Sequence, residues 1–296
     1  MKILLSGAWY PIAILRYFYL AFAARDDVEV VTMGPTSGAR IPWGPQYNFP
    51  KYAFTPDIPT PFAKGMPMGF WDNGLGWDAD LVIQVDADFH FLPYDHVPNV
   101  LIATDPHFAD YTVQRQFATY FFNMQESYLE PGDIPLPYAY CAYTHYPEEL
   151  QPEYDVVVNG LQYPQRRIVA GVLQDKGREV HEKLGDIWDE YRQAVCKARC
   201  VFTHSSKDDL IARVFETLAM RRPLVCNAVS CLRRHFTDTV HLLAFPSDDL
   251  RAAVYMVEEV LEHPDEAEEM AERGWKKVQG ETYDARVEQI LEVVGA

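Results

Sequence analysis

Short apolar runs that end in glycine or a polar residue recur along this chain, with amphipathic stretches between them. KILLS at residues 2–6 has the length and content of a buried strand, and GAWYP closes it. IAILRYFYLAFAA then spaces its apolar positions for one buried helical face. VEVVTMG at residues 28–34 supplies a second strand. Strand, glycine loop, helix and strand predict a βαβ opening and a parallel sheet. The rhythm returns in LVIQV (81–85), VPNVLIATD (97–105) and ATYFFNM (118–124), and again in DVVVNG (155–160), CVFTHSS (200–206), RPLVCN (222–227) and VHLLAFPS (240–247). Helices are predicted from about Arg166, over 208–220 with Asp208 or Asp209 as N-cap, and over 248–281 as two acidic helices broken at His263-Pro264. A last helix begins near residue 283.

Two segments break the pattern. Residues 34–77 are rich in proline, glycine and aromatics, and proline withholds a backbone donor, so little regular structure is predicted there. A loop this long is usually functional or mobile, and Trp43, Tyr47, Phe49, Phe70 and Trp71 suit stacking on a sugar as well as packing over a sheet. Residues 130–154 are again proline-rich and read as a connection between domains. With 296 residues, the chain is comfortable for two domains. The expectation is α/β: an N-terminal unit over 1–150 carrying the 34–77 loop, and a C-terminal unit over 151–296 whose last helix packs back on the first.

Composition narrows the partners. A hydrophobic content of 48% excludes a disordered chain. A net charge of -17 disfavours general binding to nucleic acid or anionic membrane, although a local basic patch remains compatible with one phosphate. The five cysteines, Cys141, Cys196, Cys200, Cys226 and Cys231, lack C-x2-C spacing and read as buried reduced thiols, hence a cytoplasmic setting. The N-terminus imitates a signal peptide, but Gly7, Pro11 and Arg16 interrupt it. No stretch reaches the ~18 apolar residues of a membrane span.

In doubly wound sheets ligands lie beyond the carboxyl ends of strands. Candidate positions are therefore 7–10, Asp86 and Asp88, 104–107, 159–162, 204–207 (with His204, Ser205 and Lys207) and Asn227. Arg213 and Glu216 stand one turn apart near the start of a helix. Free N–H groups and an arginine at a helix start suit a diphosphate, and a carboxylate one turn on suits ribose hydroxyls. The same spacing also fits a surface ion pair. Asp105 and His107 pair an orienting acid with a group that exchanges a proton near neutrality; Asp-Pro-His equally makes an Asx turn.

The run RVFETLAMRRPLVCN, followed by FTDTVHLLAFPSDDLRAAV and YDARVEQIL, resembles the C-terminal half of group-1 glycosyltransferases, and within them the spore-maturation-type, CgeB-like family. VVVNGLQYPQRR and IATDPHF resemble further steps of that pattern, so the likeness covers most of residues 81–296. It implies a GT-B fold, two Rossmann-like domains facing across a cleft, and transfer of a sugar from a nucleotide-diphosphate donor, commonly a UDP-sugar, to a hydroxyl acceptor without a metal. Carried over, Glu216 would bind the ribose, Arg213 the diphosphate, and Gly160 would admit the phosphates. Arg166, within the matched run, and the post-strand residues His204, Ser205 and Lys207 complete the expected donor site, and the strand-end residues Asp105 and His107 are the expected acid–base pair. Two departures stand out. Asp208 falls where the related E-x7-E pattern has its first glutamate, and Arg221 falls where the family has a glycine after the helix. Arg221 with Arg222 reads as an extension of the basic patch or as a solvated pair.

Asp86-Ala87-Asp88 resembles the D-x-D site of metal-dependent sugar transferases, whose carboxylates bridge a divalent cation to the diphosphate. That enzyme is one alternative. A non-catalytic nucleotide-binding clamp and a DNA-modifying transferase are others.

Overall fold

In the computed structural model, residues 1–42, 44–61, 78–86, 97–161 and 163–295 are described. The chain divides into two compact units, one of Met1–Pro137 with Tyr283–Ala296 and one of Tyr138–Thr282.

In the first unit, β1 (Lys2–Ser6) leads through α1 (Leu15–Ala23) to β2 (Glu29–Gly34). Part of the proline-rich segment is regular, contrary to expectation. β3 (Arg40–Ile41) and β4 (Gly44–Asn48) pair antiparallel, and β5 (Ile58–Pro59) adds to the edge of the main sheet beside β2. Prolines are tolerated at such an edge because no further strand needs their missing N–H. Trp43, Phe70 and Trp71 lie outside the described residues. β6 (Leu81–Val85), β7 (Asn99–Ala103), α2 (Thr112–Arg115), β8 (Tyr120–Asn123) and β9 (Ile134–Pro135) follow. The parallel sheet runs β5-β2-β1-β6-β7-β8-β9. Ile3, Leu4 and Leu5 of β1 are buried, as a strand covered on both faces requires. Strand order reverses between β1 and β6, so Gly7 and Asp86 leave the sheet side by side. A Cβ on Gly7 would stand 2.6 Å from the carbonyl oxygen of Val85, which is why this turn needs glycine.

The second unit contains β10 (Tyr154–Val157), α3 (Pro164–Asp175), β11 (Val180–His181), α4 (Asp189–Cys196), β12 (Ala198–Thr203), α5 (Ala212–Ala219), β13 (Leu224–Asn227), α6 (Leu232–His235), β14 (Leu243–Phe245), α7 (Leu250–Glu262) and α8 (Pro264–Val278). Its parallel sheet runs β11-β10-β12-β13-β14, with the reversal between β10 and β12. Val156, Val169, Phe202, Phe245 and Val257 belong to one core cluster that joins sheet and helices. The break between α7 and α8 falls at Pro264, the first residue of α8, where a missing N–H costs nothing. The five cysteines are buried and form no disulfide. The chain ends in α9 (Tyr283–Val294), which belongs to the first unit: the Tyr283 ring meets Phe18 of α1 edge-on at 5.1 Å.

The helix predicted over 208–220 is shorter at its start. Its N-cap is Ile211, with extended backbone and no side-chain cap, and neither Asp208 nor Asp209 caps it. Both carboxylates are engaged by serines outside the helix. Asp208 accepts from the Ser230 amide (2.6 Å) and hydroxyl, and Asp209 accepts from the Ser205 hydroxyl. At its other end Arg221 takes φ 54°, the left-handed conformation that glycine adopts freely. Arg221 is exposed, as a solvated residue is, whereas Arg222 is half-buried and engaged. The Arg221 Nε lies 2.7 Å from Glu272, and the Arg222 guanidinium donates to the carbonyl oxygens of Glu148 (3.3 Å) and Cys196. Left-handed backbone costs a non-glycine residue roughly 1 kcal/mol. Arg221→Gly is therefore expected to raise the thermal midpoint by about a degree or two, a small gain because the ion pair to Glu272 is forfeited. Differential scanning calorimetry checks this, and a lowered midpoint would show that the side-chain pair outweighs the backbone strain.

Candidate functional site

At the reversal point of the second unit, the carboxyl end of β10 delivers Asn159 and Gly160, and that of β12 delivers His204 and Ser205. Gly160 has φ 106°. A Cβ built on it would stand 2.3–2.4 Å from three atoms of the Arg213 guanidinium. Only a glycine lets that guanidinium rest on the turn after β10. Arg213 is the second residue of α5, so the helix start and the glycine turn bring one cation to the ends of both strands.

Arg166 lies close by, in the first turn of α3, and is only 3% exposed. Its Nε and one terminal nitrogen donate to the His204 carbonyl (3.1 and 2.7 Å), and the other donates to the Leu161 carbonyl (3.0 Å). Burial, and then the neighbouring Arg213 cation, pull its pKa down to about 9. Two guanidinium groups near each other in a desolvated place form an electrostatic preference for an anion.

Glu216 follows one turn after Arg213 and is 8% exposed, so the pair is not a surface ion pair. Its carboxylate lies 3.9 Å from Nε2 of the buried His145. The Tyr191 phenol of α4 adjoins it as well: burial, and then the Glu216 charge, push that phenol far up. Tyr191 links the group, with the Arg213 guanidinium 6.0 Å from its ring centroid and the His145 ring edge-on at 5.9 Å.

The remaining predicted donor residues serve the loop that holds these groups. His204 Nε2 faces the Ser247 carbonyl at 3.2 Å, and burial holds this imidazole below its ordinary pKa, hence neutral. The Ser205 hydroxyl, which donates to Asp209, lies 2.9 Å from the Lys207 carbonyl oxygen, and the Asn227 side chain clamps both backbone groups of Ser205 (2.7 and 3.2 Å). The Lys207 side chain is exposed. Gln162 lies outside the described residues. Among the described residues, the Asn159 amide oxygen and nitrogen, His204 Nδ1, Arg213 Nε and Thr217 Oγ1 are buried without a hydrogen-bond partner. Native proteins satisfy nearly all such atoms, so those of Asn159, His204 and Arg213 at the ends of β10 and β12 fit a polar ligand.

In the first unit, Asp86 has φ 57° and accepts from the Thr104 hydroxyl (3.0 Å) and the Tyr111 hydroxyl (3.2 Å) on one oxygen. Tyr10 is buried beside it, and burial followed by the charges of Asp86 and Asp105 raises its phenol well above the usual value. The Asp105 carbonyl accepts from the amides of Phe108 and Ala109, and the His107 ring packs against those of Phe108 and Tyr128 (4.2 and 5.3 Å). Asp88, the second acid of D-x-D, lies outside the described residues. Among the described residues, the one grouping of potential metal-ligand atoms is Glu259, Glu262 and His263, at the end of α7 and not at a strand end.

Sequence reasoning did not single out His145 or Tyr191. His145 sits in the proline-rich connection, and Tyr191 in a helix with no motif of its own; only proximity in space links them to Glu216.

The chain is similar to several solved glycosyltransferase structures over almost its whole length. Sucrose-phosphate synthase from Thermosynechococcus elongatus matches with a TM-score of 0.67 at 14% identity, covering 99% of this chain and 98% of that one. HepE from Anabaena in complex with UDP-glucose matches at 0.67 and 11%, covering 100% and 99%. An alpha-glucosyltransferase in complex with UDP-glucose and DNA containing an abasic site matches at 0.65 and 10%, covering 100% of both chains. At such identities the likeness is one of fold, and it is the GT-B fold of glycosyltransferases. The family model described as "Glycosyl transferase-like" matches residues 145–292, half of the chain, and this protein belongs to that family. No curated protein matches it by sequence. Among the described residues, no helix is long and apolar enough to cross a membrane.

Proposed function

We propose that this glycosyltransferase takes its sugar from a nucleoside-diphosphate donor, a UDP-sugar first among them, and transfers it to a hydroxyl acceptor without a metal ion. Residues 138–282 hold the donor in this reading. The observation that carries it is the Arg213 guanidinium resting on Gly160, beside the buried Arg166, at the carboxyl ends of β10 and β12. A leaving diphosphate needs stabilisation as its charge grows, and fixed cations with helix N–H groups supply that where a metal does not. Glu216 is set one turn on to accept from ribose hydroxyls. The first unit carries the acceptor side, with Asp105 and His107 handling the acceptor's proton and Asp86 held beside them by Thr104 and Tyr111. UDP-glucose in the similar HepE and alpha-glucosyltransferase structures supports a uridine donor. The run around Glu216 supports the spore-maturation-type, CgeB-like branch. Five buried thiols fit a reducing compartment, the cytoplasm. The net charge of -17 speaks against DNA as the acceptor, although the similar alpha-glucosyltransferase was solved with DNA.

Thermal-shift measurements with UDP, GDP, dTDP and ADP, each with EDTA or with Mn²⁺, test the reading. One nucleotide at a hundred times its dissociation constant is expected to stabilise the protein by ~2.7 kcal/mol, a shift of several degrees, in EDTA as in Mn²⁺. A shift that needs Mn²⁺ would move the site to the D-x-D acids, and no shift with any of the four would remove the nucleotide.

A further inference from the structure

His145 lies in the connection that enters the second unit and is 1% exposed. The Cys141 backbone N–H donates to its Nδ1 at 3.1 Å, and the Thr144 hydroxyl lies 3.4 Å from the same nitrogen. An Nδ1 that accepts from an N–H carries no proton, so in the neutral ring the proton sits on Nε2. That nitrogen faces the Glu216 carboxylate at 3.9 Å. Burial lowers the imidazole's pKa; the Glu216 charge opposes this, and the Arg192 cation on α4 adds to it. Around neutral pH the ring therefore turns an N–H dipole, not a charge, toward Glu216. A full positive charge there would pair with the carboxylate and compete with hydroxyl donors. A dipole orients the carboxylate and leaves its remaining lone pairs available. Tyr191 closes the other side, edge-on to His145 and with its phenol beside Glu216.

We propose that His145 is the positioning residue of the ribose-reading carboxylate: through a backbone-fixed Nε2–H tautomer it sets Glu216 in the orientation that distinguishes a ribose from a sugar lacking its hydroxyls. This rests on the assignment of Glu216 to the ribose given above. It also gives the chain around Cys141 a role in nucleotide selectivity, because the Cys141 amide selects the tautomer.

The test compares dissociation constants for UDP and 2′,3′-dideoxy-UDP by calorimetry. Wild-type protein is expected to prefer UDP by at least tenfold, and Glu216→Gln to lose most of that preference. His145→Phe keeps the ring and removes the N–H. It is expected to cut the preference at least threefold while binding the dideoxy nucleotide as wild type does, and His145→Gln, which returns an N–H near the Nε2 position, to restore part of it. A merely structural histidine would weaken both ligands alike. If His145→Phe leaves the preference intact while Glu216→Gln abolishes it, the positioning role is overturned and the ribose assignment stands. If Glu216→Gln also leaves it intact, the assignment itself falls and the inference with it. Should His145→Phe fail to fold, nitrogen NMR of the wild-type imidazole decides. The Nε2–H tautomer, with a resonance shifted by UDP and not by the dideoxy nucleotide, is expected; the Nδ1–H tautomer or equal shifts would overturn the proposal.

Discussion

Arg213→Ala is expected to lower turnover of the nucleotide-sugar donor about 10²–10³-fold, the usual loss when one fixed donor to developing charge is removed. Its thermal midpoint should stay near that of wild type, since the guanidinium Nε has no partner among the described residues that its loss would strand. Steady-state rates with UDP-glucose as the first donor, read beside calorimetric unfolding, check both halves. Gly160→Val should reproduce the catalytic loss without touching the arginine. Its branched side chain would begin 2.3–2.4 Å from the guanidinium, at φ 106°, and one of the two must yield. Arg213→Lys should recover little, because an ammonium on a flexible stem does not reproduce the planar fork. Turnover intact in both Arg213→Ala and Gly160→Val would take the diphosphate away from this corner.

The coupling of Gly160 to Arg213 also shows what the sequence could and could not disclose. The inner strands of the two main sheets announced themselves by apolar runs, because strands buried on both faces tolerate little else, whereas the two-residue edge strands β5, β9 and β11 gave no such signal. The glycine after β10 and the arginine at the start of α5 were legible as motif positions, one by one. Their contact was not, since it depends on the strand order β11-β10-β12, which places the first and third strands of the second unit side by side. The start of α5 was misread for a local reason: Asp208 and Asp209 have the chemistry of caps, and their carboxylates went to Ser230 and Ser205 instead. The left-handed ending at Arg221 was foreseeable only as a conflict between residue type and position. His145 carried no sequence signal at all, because a histidine within a proline-rich connection gains meaning only from the carboxylate it faces.

Arg166→Met is expected to destabilise the second unit by about 3 kcal/mol, an effect on stability as large as that of Arg213→Ala on rate. The arginine's three donated bonds end on the carbonyl oxygens of His204 and Leu161, next to the ends of β12 and β10, and methionine would leave those acceptors buried and unmatched. An opposing contribution has a definite sign. The Arg166 pKa is lowered in the folded protein to about 9, so between about 9 and its ordinary value the unfolded chain binds more protons than the folded one. Stability from this group therefore rises with pH through that window, and at pH 7 the buried cation costs stability that methionine would not. The stranded carbonyls outweigh that relief, because the carbonyl oxygens of His204 and Leu161 accept all three of these bonds and would lose every one. Urea unfolding at pH 7 measures the balance, and equal or greater stability in Arg166→Met would show that the charge cost dominates. A bound diphosphate should relieve the same cost, so the stabilisation of wild type by UDP is expected to shrink severalfold in the variant. An undiminished UDP shift in Arg166→Met would mean that the cation beneath Arg213 takes no part in holding the anion.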